Sequence, residues 1–246
     1  MIKYHGTPCG GKRDDVARFL AGRHALIPFG RTEDIATASE VCESFVLDNG
    51  AFTAWKSGNP INDWSEYYGF VDQWRRHPAF DWAIIPDVID GTEQDNNDLL
   101  AEWPFEETGT PVWHLHESLD RLNMLVSAYR VVALGSSGEF AEPGSRSWWV
   151  RMSEAMEVAC DDDGRARCKL HGLRMLDPAI FHRLPLSSAD STNAVRNGTR
   201  TAAKVGYNTL TGMQIIADRI ESHQSARTWV CTEKQSVLVF DDLLEI

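Results

Sequence analysis

The sequence predicts an α/β chain closed into one (β/α)8 barrel, a single domain over residues 1–246. Three observations predict it. Short apolar runs of strand length alternate with longer runs of helical period, eight runs of the first kind can be counted, and the length suits one barrel with no linker or composition break to divide it. A doubly wound open sheet gives the same alternation, so closure rests on the count and the length. No internal repeat or low-complexity tract interrupts the pattern.

The strand candidates run in order IKYHG (2–6), HALIPFG (24–30), SFVLDNG (44–50), DWAIIPDV (81–88), PVWHLHE (111–117), RVVALGSSG (130–138), CKLHGLRML (168–176) and LPLSSADST (184–192). Most end in Gly, Asp, His or Ser, residues that suit turns and sites. Between them, DDVARFLAG (14–22) sets Val16, Phe19 and Leu20 on one helical face. DWSEYYGFVDQWRR (63–76) carries Trp64, Tyr67, Tyr68, Val71 and Trp74 at helical spacing, a core stripe, with Asp63 as its expected N-cap. SLDRLNMLVSAYR (118–130) and SRSWWVRMSEAMEVAC (145–160) read the same way, DPAIFHRL (177–184) opens on Pro178, and TGMQIIADRIESH (211–223) is the last clear helix. The tail, 229–246, is expected to add a peripheral strand beneath the barrel.

No apolar run approaches the roughly 18 residues that span a bilayer, and MIKYHGTPCGG lacks the apolar centre of a signal peptide. Five scattered cysteines without a C-x-x-C pair fit free thiols in a reducing compartment, so the expected location is the cytoplasm, with no membrane partner. Cys160, Cys168 and His171 lack a fourth ligand at zinc-site spacing, and neither a metal nor another cofactor is expected. The net charge of −12 gives no general attraction to nucleic acid, so such a partner needs a local basic patch. The candidates are Arg75 with Arg76, Arg146 with Arg151, and the run Arg196, Arg200, Lys204; solvated faces are the plainer reading of the first two.

One stretch stands apart. In LSSADSTNAVRNG (186–198) an apolar approach ends on a lone acid, Asp190, among small and polar residues. Barrel enzymes take their catalytic groups from the C-terminal ends of strands. That rule collects Asp48 and Asn49, Asp87, His114 and His116, Gly135, Ser136 and Ser137, His171, and Asp190 with Ser191. Each has a plainer role: Asp48 as a turn former, Asp87 or Asp190 as a helix cap, His171 as a structural histidine. Acids at one barrel mouth serve a nucleophile with an acid/base partner, or, with the histidines, a divalent metal for hydrolysis.

Taken in order, the motifs resemble those of the tRNA-guanine transglycosylases. Val46-Leu47-Asp48-Asn49-Gly50-Ala51-Phe52 is similar to their Asp-Ser-Gly-Gly-Phe segment, and Gly135-Ser136-Ser137-Gly138-Glu139 to their glycine-rich strand-end loop. Leu170-His171-Gly172-Leu173 resembles their later strand ending in glycine. Asp190-Ser191-Thr192, followed by Arg196-Asn197-Gly198, resembles the segment of their nucleophilic aspartate. The matches run from about residue 44 to 198.

The resemblance implies exchange of guanine for a 7-deazaguanine base through a covalent aspartyl-glycosyl intermediate. Asp190 would attack the sugar C1′ and Asp48 would serve as acid and base. Asp87 and His116 would meet the base, with Gly135 and Ser136 in close backbone contact. Phe52 and Trp113 are aromatics that could stack on it, and Arg196, Arg200 and Lys204 could hold flanking phosphates. The family's cysteine-rich zinc segment is missing and the chain is shorter. Those departures favour DNA over tRNA as partner and the phage and bacterial branch of the family, with a partner protein to deliver the nucleic acid a further possibility. Two other readings stand beside this one: a metal-dependent or two-carboxylate hydrolase on the same barrel, and a non-catalytic relative that binds a nucleobase.

Overall fold

The computed structural model describes residues 1–105 and 108–230. The expected strand over the tail falls mostly outside the described residues. The chain runs β1 (Ile2–Gly6), α1 (Arg13–Leu20), β2 (His24–Pro28), α2 (Ile35–Val41), β3 (Ser44–Asp48), α3 (Ala51–Lys56), α4 (Ser65–Trp74), β4 (Phe80–Ile84) and α5 (Glu93–Glu102). It continues through β5 (Gly109–Thr110), β6 (Val112–His114), α6 (Leu119–Ala128), β7 (Val131–Gly135), a 3-10 turn (Gly138–Phe140), α7 (Arg146–Ala159), β8 (Lys169–Gly172), α8 (Pro178–Phe181), β9 (Ser188–Ser191), α9 (Asn193–Val205) and α10 (Thr209–Glu221).

Every neighbouring pair of strands is parallel, in the order β5-β4-β3-β2-β1-β9-β8-β7-β6. Only Pro111 separates β5 from β6, and it has no N–H to give a ladder. The two pieces act as one barrel strand: Ile85 N–H donates to Thr110 O on one side and Ala133 N–H to Pro111 O on the other, both at 2.9 Å. The sheet is thus an eight-stranded barrel with a kinked closing strand, as the alternation of the sequence predicts.

Side chains alternate across each strand. Phe45 and Leu47, with Leu134 and Leu170, point outward into the layer shared with the helices. Tyr4, Leu26, Val46, Trp82, Ile84, Val112 and Ala133 point inward and fill the barrel. Tyr4, Trp82 and His171 meet edge-on or tilted, with centroids 4.9–5.9 Å apart, and plug the interior. Two residues beyond Val46, Val112, Ala133 and Ser188, the same alternation aims Asp48, His114, Gly135 and Asp190 at the C-terminal mouth.

Among the described residues, four helices lie outside the runs of helical period picked from the sequence: α2, α3, α5 and α9. The last has the clearest reason. Its buried residues are Ala194, Gly198 and Ala202, too small to read as an apolar face. They let α9 lie almost in contact with α10: a Cβ placed on Gly212 would sit 2.0 Å from Gly198 O. The expected cap on α4 is shifted by one residue. Trp64 holds the cap position, while Asp63 accepts from the Ser65 N–H at 2.9 Å. Among the described residues, no helix is long and apolar enough to cross a membrane.

Candidate active site

Asp190 is 5% exposed at the end of β9. Its Oδ1 is held from two sides: His171 Nε2 lies 3.3 Å away and the Arg174 backbone N–H donates at 2.9 Å. His171 is itself fixed by Ser188, whose Oγ lies 2.8 Å from Nδ1. With Ser188 donating to Nδ1, Nε2 carries the proton and donates to the carboxylate. The turn after β8 wraps the same aspartate, since the Leu176 N–H donates to the Asp190 carbonyl. Among the described residues no hydrogen bond engages Oδ2, and Thr192, not Asp190, stands at the cap position of α9. The structural histidine expected at 171 is therefore a positioning residue for this acid.

Asp48 closes β3. Burial, then the charges of Asp190 and Asp87, push its carboxyl up from 3.8 to about 7, against the opposing pull of the Gly50 and Asn49 N–H groups. Asp48 thus lies in the field of both other acids, Asp190 and Asp87. Gly50 makes this turn possible: its φ is +78°, and a Cβ there would meet Phe29 O at 2.9 Å.

Asp87 comes from the segment after β4 and does not cap α5, whose capping box is Thr92 with Asp95. Instead Asn49 Nδ2 donates to Asp87 Oδ1 at 2.6 Å and to Ile85 O at 3.0 Å, while its Oδ1 accepts from the Ala51 N–H at 2.9 Å. His114 Nε2 lies 2.8 Å from Asp87 Oδ2, though its N–H is not aligned on that oxygen. The His114 and His116 rings stack at 5.7 Å, and His116 Nδ1 meets Ser137 Oγ at 2.7 Å.

The loop carrying these histidines stands on a buried ion pair. Glu117 Oε2 accepts from Arg121 and from the His114 N–H, at 2.8 and 2.9 Å, and Glu117 Oε1 accepts from Asn96. Arg151 donates to the Leu115 and Glu117 carbonyls, so it secures the loop and is not a free cation.

Gly135 ends β7 at the mouth, and Ser136 after it offers its carbonyl there, to Arg174 at 3.3 Å, while its Oγ turns outward to accept from Trp148 Nε1 at 2.9 Å. Phe52, in the first turn of α3, faces the same opening, where the Arg174 guanidinium lies 3.9 Å from its ring centroid. Trp113 does not: strand alternation turns it outward, fully buried, with Nε1 donating to Ser118 O. It cannot stack on a ligand in the mouth.

Arg196, Arg200 and Lys204 are exposed at four-residue spacing on α9, a stripe that starts beside the mouth and leads down the outer wall. A separate concavity of about 1060 Å³ opens at the other end of the barrel, near Arg130, Lys169 and Ser187, and shares no residue with the acids. Among the described residues, no group of three His, Cys, Asp or Glu side chains is placed to hold a metal ion.

One contributor escapes the sequence: nothing singles out Arg174, whose φ of +58° is unusual for a residue with a Cβ. His171 and Asn49 are gathered by the strand-end rule, but their partners, Asp190 and Asp87, are set by the fold. The apolar run of β8 ending at Gly172 is the one local signal that a turn begins there.

No family model matches the chain, and no curated protein matches its sequence. Solved structures do match its shape. A structure of the tryptophan synthase α2β2 complex from the hyperthermophile Pyrococcus furiosus contains a chain that is 12% identical, with a TM-score of 0.51, covering 90% of this chain and 96% of that one. A point mutant of the tryptophan synthase α-subunit from the same organism is 13% identical, with a TM-score of 0.50 and the same coverage. The likeness is one of fold. It agrees with the strand order in making the chain a single-domain TIM barrel, and at this identity it carries nothing about the reaction.

Proposed function

We propose that this chain is an enzyme that exchanges guanine in nucleic acid, DNA before tRNA, for a 7-deazaguanine base. The observation that carries the reading is the pairing of two unlike carboxylates in one mouth. Asp190 is anchored through Oδ1 and open at Oδ2, and the Asp48 carboxyl, buried beside the other two acids, is pushed up to about 7. A nucleophile and an acid/base catalyst need those two states.

In the first step Asp190 Oδ2 attacks C1′ of the nucleotide and the C1′–N9 bond breaks. Its electron pair leaves with guanine, which takes the proton of Asp48. In the second step the incoming base gives its N9 proton to Asp48, and N9 attacks C1′ and releases the Asp190 carboxylate. Phe52 offers a stacking face, Asp87 an acceptor for base N–H groups, and Gly135, Ser136 and His116 the facing wall. The target must leave its stack to reach this mouth, and Arg196, Arg200 and Lys204 supply a track for flanking phosphates.

The test is incubation of the protein with labelled guanine and either duplex DNA or tRNA. The reading predicts label in the nucleic acid. Release of guanine without incorporation would instead favour a two-carboxylate hydrolase, and binding of the base with neither would favour a non-catalytic relative.

A further inference from the structure

We infer that Arg174 is a built-in occupant of the base slot, a planar cation that holds the Phe52 face until a base displaces it. The inference rests on the proposed reading in taking Phe52 as the stacking platform; the placement of Arg174 stands on geometry alone.

Three elements converge on this side chain. Its guanidinium carbon lies 3.9 Å from the Phe52 ring centroid, which is stacking distance. Its NH2 donates to Ser136 O at 3.3 Å, so the side chain bridges from the β8 turn to α3 and to the loop after β7. The charges of Asp190 and Asp48 act on it from below. A flat ligand on Phe52 and the guanidinium on Phe52 compete for one face, because 3.9 Å leaves no layer between them.

The backbone explains how the side chain is aimed. At a φ of +58° the chain turns sharply after Leu173, and the Arg174 N–H points at Asp190 Oδ1 while the side chain is thrown across the mouth. One residue thus orients the proposed nucleophile through its main chain and covers the slot with its side chain. The guanidinium also offsets two neighbouring carboxylates while the site is empty. A base that replaces it removes that compensation and exposes the acids as the substrate arrives.

The test uses the full chain and Arg174→Asn, which keeps the backbone N–H and tolerates the left-handed turn; Arg174→Gly is the second variant should the first fold poorly. Placing 4-fluorophenylalanine at position 52 gives a fluorine resonance that reports the stack without any ligand, and equilibrium dialysis with guanine on the unlabelled proteins reports the slot. The inference predicts that loss of the guanidinium shifts the fluorine resonance, and that guanine binds about five- to thirty-fold tighter, about 1–2 kcal/mol. An unmoved resonance overturns the inference and leaves the proposed function standing. So does guanine binding that is unchanged or weaker in the variant, which would make Arg174 a ligand contact or a phosphate grip. If the resonance moves but guanine binds neither protein, the proposed function fails and the inference falls with it.

Discussion

His171 supports Asp190 from inside the barrel: Nε2 lies 3.3 Å from Asp190 Oδ1, while Nδ1 is engaged by Ser188. The imidazole is fully buried and engaged through both ring nitrogens, so it acts on the carboxylate by orientation. His171→Gln is expected to lower kcat by about ten- to a hundredfold, with KM for the base little changed. Steady-state kinetics separate the two. A change confined to KM would place His171 in base binding instead.

Asp48 gives the protein a pH signature. Its folded value of about 7 lies above the ordinary 3.8. Between those values the unfolded chain has lost the proton and the folded chain keeps it, so this group makes the fold less stable as pH rises, and the deficit is constant above 7. Asp48→Asn is therefore expected to stabilise the fold above about pH 7, by on the order of 2 kcal/mol, with the gain vanishing toward about pH 4. Denaturant melts at the two pH values check the sign. The same variant should lose the inflection near neutrality in the rate profile, along with about a hundredfold or more of the activity.

Asn49 is the joint between the first two acids. Asn49→Ala removes its bonds to Asp87, Ile85 and Ala51 in a buried setting and is expected to cost about 2–3 kcal/mol. Because Asp87 also loses its anchor, base affinity should fall together with stability. Calorimetry and base titration measure the two separately.

The ion pair beneath the histidine loop is almost wholly buried. Glu117→Ala leaves Arg121 charged without its partner, and about 3–5 kcal/mol of stability should be lost. Glu117→Gln, which still accepts from Arg121 and the His114 N–H, should lose less. Equal losses in the two variants would show that shape and not charge holds the loop.

The stripe on α9 gives a salt-dependence prediction. If Arg196 and Arg200 each neutralise one phosphate, replacing both by Gln should weaken DNA binding and flatten the slope of log K against log salt by about 1.4–1.8. A slope unchanged from wild type would remove the stripe from the interface.

The barrel is legible in the sequence because its strands are unusually plain. Runs such as SFVLD and VVALG are buried on both faces, so nearly every residue is apolar and the runs stand out. The strand ends are legible too, which is why Asp48, Asp87 and Asp190 can be gathered from the order of residues alone. What the sequence hides is set by contacts far along the chain. The helix α9 is invisible to a search for large apolar residues because it packs through Gly198 and Ala202. Asp87 looks like a cap because the partners that claim it, Asn49 and His114, lie 38 residues before it in one case and across a crossover in the other. Arg174 carries no signal because its role comes from one left-handed dihedral and from Phe52 on a distant element. Trp113 is misplaced by a single step of strand alternation: the residue beside it, His114, is the one that faces the mouth.

The most direct measurement concerns Asp190 itself. Protein incubated with a guanine-containing DNA oligonucleotide is quenched by denaturant, digested and weighed by mass spectrometry, alongside Asp190→Asn. The account predicts a nucleic-acid adduct on the peptide that holds Asp190, and loss of both adduct and base exchange in the variant while its fold persists. Full base exchange by Asp190→Asn, or an adduct on another peptide, would contradict it.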